Sequence, residues 1–418
     1  MYKSPFLQEA EARGFIFQCT DAEALDAALM SGVVGGYIGF DLTADSLHVG
    51  HMIQIMMLRL LQKHGHRPVA LLGGGTTRIG DPSFREEARQ LLDEAGIEHN
   101  RQGIRRNLDG MLRFGDAPTD AILADNAEWL DKLGYIDLLR EVGVHFSVSR
   151  MLGFDSVRQR LEREQGLTFL EFNYSILQSY DFRELSRQHG VMLQMGGSDQ
   201  WGNIVSGVDL VRRTDQKQVF GLTAPLLTTA SGAKMGKTAS GAIWLSPERL
   251  SPFDYWQFWR NTEDADVGRF LRLFTELDVA ECERLGALPG AGINEAKKIL
   301  ATEATALCHG RAQAEAAAEA ARLMFEASAG GQGVAEALPS RLVDPATLQA
   351  GIPVYRLFAE MGLVGSNSEA RRLIRGGGLR VNDEPVADEN RVISAADLAD
   401  GAIKLSIGRK QHLLVRPG

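Results

Sequence analysis

Two histidines three residues apart, His48 and His51, stand where an apolar segment passes into a predicted helix. That spacing places both imidazoles on one helix face, and Gly50 between them leaves room for a flat ligand. The helix N-terminus adds partial positive charge and free N–H groups. The pattern therefore suits phosphate binding, although two ordinary histidines near a helix start would share the spacing.

Two lysines with the same spacing, Lys234 and Lys237, lie in a polar loop over residues 228–241. Glycines make such a loop flexible enough to close over a ligand. On closing, the lysines would reach both ends of a triphosphate. Taken alone, this loop is more often an ordinary solvated surface.

A third group lies on the helix predicted over residues 168–189, where Tyr174, Gln178 and Asp181 share one face. With Asp81, the Tyr174 hydroxyl and the Gln178 amide supply acceptors for an ammonium group. A partly exposed polar helix face is the plainer alternative.

Short apolar runs alternate with longer helical patterns along the part of the sequence that carries the histidine motif and the polar helix face. The predicted strands are 33–41, 68–72, 121–124 and 191–194, and the predicted helices are 47–63, 86–114, 129–142, 168–189 and 198–213. An earlier helix is predicted to open at a Thr20/Glu23 capping box and to end at Gly32. This alternation predicts an α/β fold, a parallel sheet with helices on both faces.

The chain changes character after Pro225. Residues 251–327 are almost entirely helical in pattern, 328–351 have a linker composition, and 352–418 begin helical and end in short strands. This last segment carries a net charge of +2 in a chain of net charge −9, which marks it as a separate module. Six of its basic residues lie on a helix with a predicted N-cap and on the strands and turns that follow, namely Arg371, Arg372, Arg375, Arg380, Arg409 and Lys410.

Composition narrows the class of protein. A length of 418 residues with 44% hydrophobic and 24% charged residues predicts two or three folded domains and excludes a mainly disordered chain. The three cysteines lie far apart with no CxxC, so neither a disulfide scaffold nor a zinc site is expected. The uncharged stretches 27–40 and 218–233 are too short to span a bilayer, which favours a cytoplasmic protein with no membrane partner.

The histidine and lysine motifs together resemble the paired signatures of class I aminoacyl-tRNA synthetases. Four further stretches resemble the bacterial tyrosyl-tRNA synthetases in order and spacing, namely YIGFDLTADSLH at 37–48, GDPS at 80–83, EFNYSILQSYDF at 171–182 and GGSDQWGN at 196–203. The resemblance covers essentially the whole chain. It departs from the family at Ile38, where many members carry cysteine, and at Gly236 and Thr238, where the lysine motif usually has serines.

The resemblance implies a tyrosine–tRNA ligase that uses ATP, with Mg²⁺ accompanying the nucleotide and no protein metal cage. It implies that His48 and His51 serve the reacting phosphate and the ribose side. Thr43 would bind the γ-phosphate, and the two lysines would stabilise the leaving group. Tyr37 and Asp181 would bind the substrate hydroxyl. The remaining implied positions are Asn126 and Gln200 in the amino-acid pocket, and Gly39, Asp41, Gly50, Gly197, Asp199 and Thr238 in the ATP site.

The resemblance also implies an organisation. A Rossmann-like catalytic domain would span 1–227, a lid loop and connector 228–250, and an α-helical anticodon-side domain 251–328. A linker at 329–351 would precede a small α+β RNA-binding domain at 352–418. The partners would be tRNA(Tyr), L-tyrosine and a second copy of the chain, with Phe169 at the interface. Two alternatives remain, a tryptophan–tRNA ligase of the same architecture and a non-catalytic RNA-binding protein on a synthetase scaffold.

Overall fold

A computed structural model describes most of the chain. It covers residues 2–80, 92–163, 166–230, 232, 235–238, 241–328, 340–399, 401–408 and 411–417. The contacts divide the chain into two compact units, Met1–Glu315 and Ala316–Gly418.

A six-stranded sheet forms the centre of the first unit. In spatial order its strands are β1, β6, β5, β2, β3 and β4, and all neighbours run parallel except β1 and β6. The strands are β1 (Gln18–Cys19), β2 (Gly35–Phe40), β3 (Arg67–Leu72), β4 (Ile122–Asp125), β5 (Val191–Gly197) and β6 (Phe220–Ala224). The parallel sheet predicted from the alternation is therefore confirmed. The carboxyl ends of its parallel strands share one edge, where ligands of such folds bind.

Helices cover both faces of this sheet, as the α/β pattern predicted. Helix α3 approaches β2 so closely that a Cβ on Gly36 would lie 2.7 Å from Cδ2 of Leu61. The helices of the sheet region are α1 (Pro5–Arg13), α2 (Ala22–Ser31), α3 (Val49–Lys63), α4 (Glu94–Asp109), α5 (Ala127–Leu130), α6 (Tyr135–Asp137), α7 (Val148–Leu152), α8 (Asp155–Glu162), α9 (Phe169–Phe172), α10 (Tyr174–His189) and α11 (Trp201–Asp215).

A helical region follows a small hairpin. The hairpin strands are β7 (Lys237–Thr238) and β8 (Gly241–Ala242), and the helices are α12 (Pro252–Arg260), α13 (Val267–Phe274), α14 (Val279–Gly286), α15 (Ile293–His309) and α16 (Arg311–Ser328). Trp259 of α12 packs on Phe270 and Phe274 of α13, with ring centroids 6.1 and 4.8 Å apart. The helical character predicted for residues 251–327 is confirmed.

Two predicted helices are broken in the structure. The helix expected over 168–189 is split at Asn173, whose side-chain Nδ2 donates to the Phe169 carbonyl at 2.6 Å. The Phe169 carbonyl also accepts from the backbone N–H of Asn173 at 3.2 Å, so the side chain and the backbone share one acceptor at the break. The helix expected over 129–142 is interrupted at Gly134, which has extended backbone (φ −67°, ψ 136°).

Two other helix starts differ from prediction. Helix α2 is capped by Asp21, not Thr20, because the Asp21 carboxylate accepts from the backbone N–H of Ala24 at 3.0 Å. An aspartate is at least as good a cap as threonine. Within the described residues, the helix predicted over 86–114 is observed as α4, which begins at Glu94.

The buried guanidinium of Arg13 joins the first helix to the helical region. Its Nη1 donates to the carbonyls of Arg272 and Thr275, at 2.9 and 3.0 Å. Its Nη2 donates to the carbonyl of Leu277 at 2.8 Å. Arg13 therefore satisfies carbonyls at and beyond the C-terminus of α13.

Glu9 ties Arg13 to the end of α3. Its carboxylate accepts from Arg13 at 2.7 Å and from Lys63 and His64 at 2.8 Å. Burial would raise the pKa of Glu9, but hydrogen bonds from Lys63, Arg13 and His64 lower it to about 2. The C-terminal end of α3 is thus fixed to α1.

The second unit holds a five-stranded sheet in the order β12, β11, β14, β15, β9. Its elements are β9 (Ser340–Val343), α17 (Pro345–Ala350), β10 (Ile352–Pro353), α18 (Val354–Glu360), α19 (Asn367–Arg375), β11 (Leu379–Val381), β12 (Glu384–Pro385), β13 (Val392–Ile393), β14 (Ile403–Ile407) and β15 (Gln411–Pro417). The linker prediction is wrong for residues 340–351. Strand β9 pairs in parallel with β15, and Leu348 is buried in this unit's core.

Candidate functional site

The start of α3 holds both histidines in defined tautomers. Nδ1 of His48 accepts from the backbone N–H of Gly50 at 3.0 Å, and Nδ1 of His51 accepts from the backbone N–H of His48 at 3.2 Å. The ring centroids lie 4.1 Å apart. Because each Nδ1 accepts, each neutral imidazole carries its proton on Nε2. The predicted pair therefore presents two ring N–H donors at a helix N-terminus, a setting suited to phosphate.

Two glycines allow the hairpin loop to lie on the first turn of α3. A Cβ on Gly50 would stand 2.7 Å from Cε1 of His48. Gly236 has φ +91°, and a Cβ there would stand 2.8 Å from the Gly50 nitrogen. Only glycine fits both positions without displacement, so the close approach explains Gly236 where the family pattern has serine.

The segment after the loop is bonded to the same turn. The backbone N–H of Val49 donates to the Ile243 carbonyl at 2.8 Å, and that of Leu245 donates to the Leu47 carbonyl at 2.9 Å. The ring of Trp244 lies 6.1 Å from the His48 ring, edge to face. The predicted lid loop is thereby connected to the histidine motif.

Some predicted positions cannot be placed. Asp81, Lys234, Arg409 and Lys410 lie outside the described residues, and Lys237 and Thr238 are described in their backbone alone.

A buried carboxylate lies at one end of the predicted amino-acid pocket. Asp181 is 2% exposed, and it accepts from Nδ2 of Asn126 at 2.9 Å and from Nε1 of Trp129 at 2.8 Å. Burial raises the pKa of Asp181 to about 7, against the lowering effect of these two donors. The carboxyl thus titrates near neutrality, unlike an ordinary aspartate.

Tyr37 faces the same pocket from strand β2. It is 1% exposed, its ring centroid lies 5.3 Å from that of Phe182, and its hydroxyl has no hydrogen-bond partner among the described residues. Burial, with the nearby charge of Asp181, raises its pKa well above the ordinary value. The hydroxyl therefore stays protonated at physiological pH and can donate to a ligand.

The other end of the pocket gathers acceptor groups. The Tyr174 hydroxyl donates to Oδ1 of Asp41 at 3.3 Å. Nδ2 of Asn203 donates to Oε1 of Gln178 at 2.9 Å and to Oε1 of Gln200 at 3.3 Å. Tyr174 and Asp41 therefore meet, and so do Gln178 and Gln200, four positions that the sequence predicted separately.

Asn126 links the two ends. Its Oδ1 accepts from the backbone N–H of Gly75 at 2.8 Å, and its Nδ2 donates to the Thr76 hydroxyl at 3.0 Å. The Thr76 hydroxyl in turn donates to Asp41 at 3.3 Å. Asn126 is 1% exposed, so it is a buried residue that connects Asp181 to the turn at Gly75 and Thr76.

The remaining predicted ATP positions cluster at the carboxyl ends of β2 and β5. Gly39, in β2, has nothing within 4 Å of where a Cβ would stand. A Cβ on Gly197 would lie 2.4 Å from Oδ1 of Asp199. Thr43 is exposed, whereas Ile38 is buried. The edge is open at Gly39 and Thr43, which leaves room for a nucleotide.

In the second unit, helix α19 carries the basic residues. Ser366 caps it by accepting from the backbone N–H of Glu369 at 3.2 Å, as the sequence predicted. Arg371 stacks on the Tyr355 ring at 4.1 Å, and Arg375 pairs with Glu389 at 3.0 Å. Arg372 is exposed, and Arg380 donates to the carbonyl of Asp383 at 3.1 Å.

Two family models match the sequence. One describes class I tRNA synthetases (W and Y) and matches residues 32–326, and the other describes the S4 domain and matches residues 356–398. A tyrosine–tRNA ligase of Gluconobacter oxydans is 67% identical over 420 residues, covering 100% of both chains. A tyrosine–tRNA ligase of Rhodospirillum rubrum is 61% identical over 414 residues, covering 99% of this chain and 98% of the relative.

The chain belongs to the tyrosine–tRNA ligase family.

Solved structures agree with this membership. The C-terminally truncated mitochondrial tyrosyl-tRNA synthetase of Aspergillus nidulans is 31% identical, with a TM-score of 0.69 over 77% of this chain and 94% of that one. The tryptophanyl-tRNA synthetase of Plasmodium falciparum is 16% identical with a TM-score of 0.51, over 74% of this chain and 84% of that one, and shares the fold alone. The fold by itself thus does not separate tyrosine from tryptophan ligases, and the pocket residues must.

Sequence reasoning missed three residues of the predicted pocket. Trp129 donates to Asp181, and Thr76 donates to Asp41. Asn203 donates to Gln178 and Gln200. Trp129 follows the predicted Asn126 by three residues, one helical turn, so its spacing was a usable signal. Thr76 and Asn203 lie in a turn and a helix whose contacts only the fold creates.

The described residues contain no cluster of three or more His, Cys, Asp or Glu side chains that could hold a metal ion. In the described part of the chain, every helix is too short or too polar to cross a membrane.

Proposed function

We propose that this chain activates L-tyrosine with ATP, releasing pyrophosphate, and transfers the tyrosyl group to the 3′ end of tRNA(Tyr). The observation that carries the choice of amino acid is the buried end of the pocket. There, the Tyr37 hydroxyl, which has no partner among the described residues, and the Asp181 carboxylate offer a donor and an acceptor to one phenol. An indole ring has no oxygen to meet this pair.

The first step needs no general base. The carboxylate of tyrosine, already ionised at neutral pH, attacks the α-phosphorus of ATP as the bond to pyrophosphate breaks. Catalysis therefore rests on positioning and charge stabilisation. The Nε2–H groups of His48 and His51 supply donors to the phosphate oxygens.

Other predicted positions complete the nucleotide site in this proposal. Thr43, Lys234 and Lys237 hold the departing pyrophosphate. The adenosine and ribose lie along the open sheet edge, against Gly39, Asp41, Gly50, Gly197, Asp199 and Thr238.

The ammonium of tyrosine binds at the acceptor end. Tyr174, Gln178 and Asp81 receive it, and Gln200 lines the same pocket. The Asn203 amide supports this arrangement, because it fixes the direction of both glutamine side chains. A ligand ammonium needs acceptors whose oxygens already point inward.

Mg²⁺ enters this scheme as part of the ATP complex. Protein cages for Mg²⁺ are uncommon, and the ion is usually held by one or two carboxylates and by phosphate oxygens. The described residues offer no carboxylate cluster for it. We therefore assign its ligands to the phosphates and no reaction step to a protein-bound metal.

The second step requires tRNA. The region 251–328 faces the anticodon side in this proposal, and the basic face of α19 contacts RNA phosphates. Arg371, Arg372, Arg375, Arg380, Arg409 and Lys410 are the RNA-binding residues we propose. The protein acts in the cytoplasm, where its tRNA is charged.

We further propose that two copies of the chain associate. Exposed apolar side chains among the described residues between 135 and 170 support this. Phe169 is 68% exposed, and it has exposed neighbours in this segment, Tyr135, Ile136, Val144, Val148 and Leu170. Exposed apolar groups of this number mark an interaction surface. Phe169→Glu is expected to yield monomers in sedimentation velocity, whereas Phe17→Glu, at a site elsewhere that is 58% exposed, is not.

Pyrophosphate exchange with each of the twenty amino acids tests the proposed activity. Tyrosine is expected to support exchange far better than any other. Exchange driven by tryptophan would point to the tryptophan ligase instead. No exchange with any amino acid, together with tRNA binding, would point to a non-catalytic RNA-binding protein.

A further inference from the structure

The loop that precedes the histidine motif, residues 42–47, lies against one face of helix α4. Nδ2 of Asn100 donates to the Leu42 carbonyl at 2.7 Å. At the other end of the loop, Oδ1 of Asn107 accepts from the backbone N–H of Leu47 at 2.8 Å. The residues of α4 that lie against the loop are three or four positions apart and share one face of the helix, namely Asn100, Gly103 and Asn107. Helix α4 therefore holds both ends of this loop.

The backbone of Leu42 is bonded on both sides. Its carbonyl accepts from Asn100, and its N–H donates to Oγ1 of Thr77 at 2.8 Å. Leu42 is fully buried and Asn100 is 8% exposed, so both bonds are shielded from water. Because buried carbonyls are almost always hydrogen-bonded, loss of the Asn100 amide would leave this one unsatisfied. The backbone immediately before Thr43 is thus fixed from α4.

Helix α4 approaches the loop a second time at Asp45, two residues after Thr43. A Cβ on Gly103 would stand 1.8 Å from the carbonyl oxygen of Asp45 and 2.6 Å from its carbonyl carbon. Both are backbone atoms, so no side-chain rotation could relieve the clash. Glycine is unfavourable in a helix interior, and this close approach of two backbones accounts for it at position 103.

We propose that α4 positions Thr43 for the phosphates of ATP, and that Asn100 and Gly103 are the residues through which it does so. Thr43 lies between the two fixed points and is exposed at the open edge of the sheet. The inference rests on the proposed function, in which Thr43 holds the departing pyrophosphate. A misplacement of about 1 Å can lower a rate about 100-fold, so the fixed backbone matters for the reaction. Asn100 and Gly103 are positioning residues, and neither touches the nucleotide.

The tyrosine site is expected to be independent of this support. Asp41 directly precedes Leu42, but its carboxylate is held by other residues. It accepts from the hydroxyls of Thr76 and Tyr174, each at 3.3 Å, and neither residue belongs to α4. A shift of the loop should therefore affect the nucleotide and spare the amino acid.

Asn100→Leu, which removes the amide and nearly keeps the size of the side chain, tests the proposal in pyrophosphate exchange. The expected result is a kcat/KM for ATP lower by about 10- to 100-fold and a higher KM for pyrophosphate, with KM for tyrosine unchanged. Combined with Thr43→Ala, it is expected to be no worse than Thr43→Ala alone, because Asn100 acts through Thr43.

Gly103→Ala is a second variant that displaces the same loop without removing a hydrogen-bonding group. It is expected to give the same pattern of KM values, and it carries the test if Asn100→Leu does not fold. Thr275→Val is the matched control, since the buried Thr275 hydroxyl also donates to a backbone carbonyl, that of Leu271, at 2.6 Å. The control is expected to lower the thermal unfolding temperature and to leave all KM values unchanged.

Three outcomes overturn the proposal. Equal losses for ATP, pyrophosphate and tyrosine would make Asn100 a packing residue. Effects that multiply with those of Thr43→Ala would make it independent of Thr43. Unchanged kinetics in Gly103→Ala and in a folded Asn100→Leu would remove α4 from the ATP site. All three differ from failure of the proposed function, in which the unmodified chain would not support exchange with tyrosine.

Discussion

Nε1–H of Trp129 donates to Oδ1 of Asp181 across 2.8 Å, while Asn126 donates to the other oxygen. Both oxygens of a buried carboxylate are therefore held by neutral donors. Such donors favour the ionised form, and they work against burial, which raises the pKa of Asp181 to about 7. The ability of this residue to accept a hydrogen bond from a ligand depends on that balance.

Trp129→Phe removes one of the two donors. The pKa of Asp181 is then expected to rise further, and KM for tyrosine at pH 7 to increase roughly 10- to 150-fold, the range for a hydrogen bond to a charged group. Part of the loss is expected to recover at pH 9. The matched control is Trp256→Phe, which removes a neutral bond to Thr302 in the helical region. Equal KM values in the two variants would contradict the role assigned to Trp129.

The pH dependence of stability follows from the same carboxyl. In the unfolded chain, Asp181 releases its proton near 3.8, and in the folded chain near 7. Between these values the folded protein holds a proton that the unfolded chain has lost, so stability falls as the pH rises. Relative to Asp181→Asn, the unmodified chain is expected to lose up to about 4 kcal/mol between pH 4 and pH 8. Denaturant unfolding at both pH values measures it, and a pH-independent difference would refute it.

His48→Ala tests the proposed phosphate site at the start of α3. The expected result is a kcat for tyrosine activation lower by roughly 10- to 150-fold, with KM for ATP nearly unchanged, because the contact strengthens only as charge develops. His64→Ala, at the opposite end of the same helix, breaks the bond to Glu9. It is expected to lower stability and to spare kcat. A His48 variant that mainly raised KM for ATP would argue against transition-state stabilisation.

Arg372→Glu tests the proposed RNA-binding face of α19. Among the described arginines of that helix, Arg371 stacks on Tyr355 and Arg375 pairs with Glu389, so Arg372 is the side chain most available to phosphate. Charging of tRNA is expected to fall and the salt dependence of binding to decrease by about one unit of slope, with adenylate formation unchanged. Arg356→Glu, on α18, is the matched control. Equal binding by both variants would remove α19 from the interface.

The pattern of short apolar runs predicted four of the six strands of the first sheet, and it did not predict β1 or β6. β2, β3 and β4 lie within two residues of their predicted limits, because buried parallel strands are continuous apolar segments, whereas β5 extends to Gly197, beyond its predicted end at residue 194. Breaks within helices were not predictable in this way. At Asn173 a side-chain amide bonds to a helical carbonyl, and that bond leaves no trace in the apolar periodicity.

The residues of the candidate site also differ in whether the sequence could predict them. The resemblance indicated Tyr37 and Asp181, but Trp129 lies 52 residues from Asp181 in sequence. Its bond exists only because β4 and α10 are brought together by the fold. Strand β9 was assigned to a linker for a related reason: three of its four residues are exposed, so its pairing with β15 is not marked by an apolar run.

The hydrogen bonds of Arg13 bear on the order in which the chain folds while it is synthesised. Its Nη2 donates to the carbonyl of Leu277, which lies 264 residues later in the sequence. That hydrogen bond cannot form until Leu277 has been synthesised. At about 5–20 residues per second, the ribosome needs roughly 15 to 50 s to synthesise that interval. During this time helix α1 has emerged without the partner that buries its guanidinium. The guanidinium of Arg13 is therefore among the last groups of the first unit to find its hydrogen-bond partners, although it is among the first to be translated.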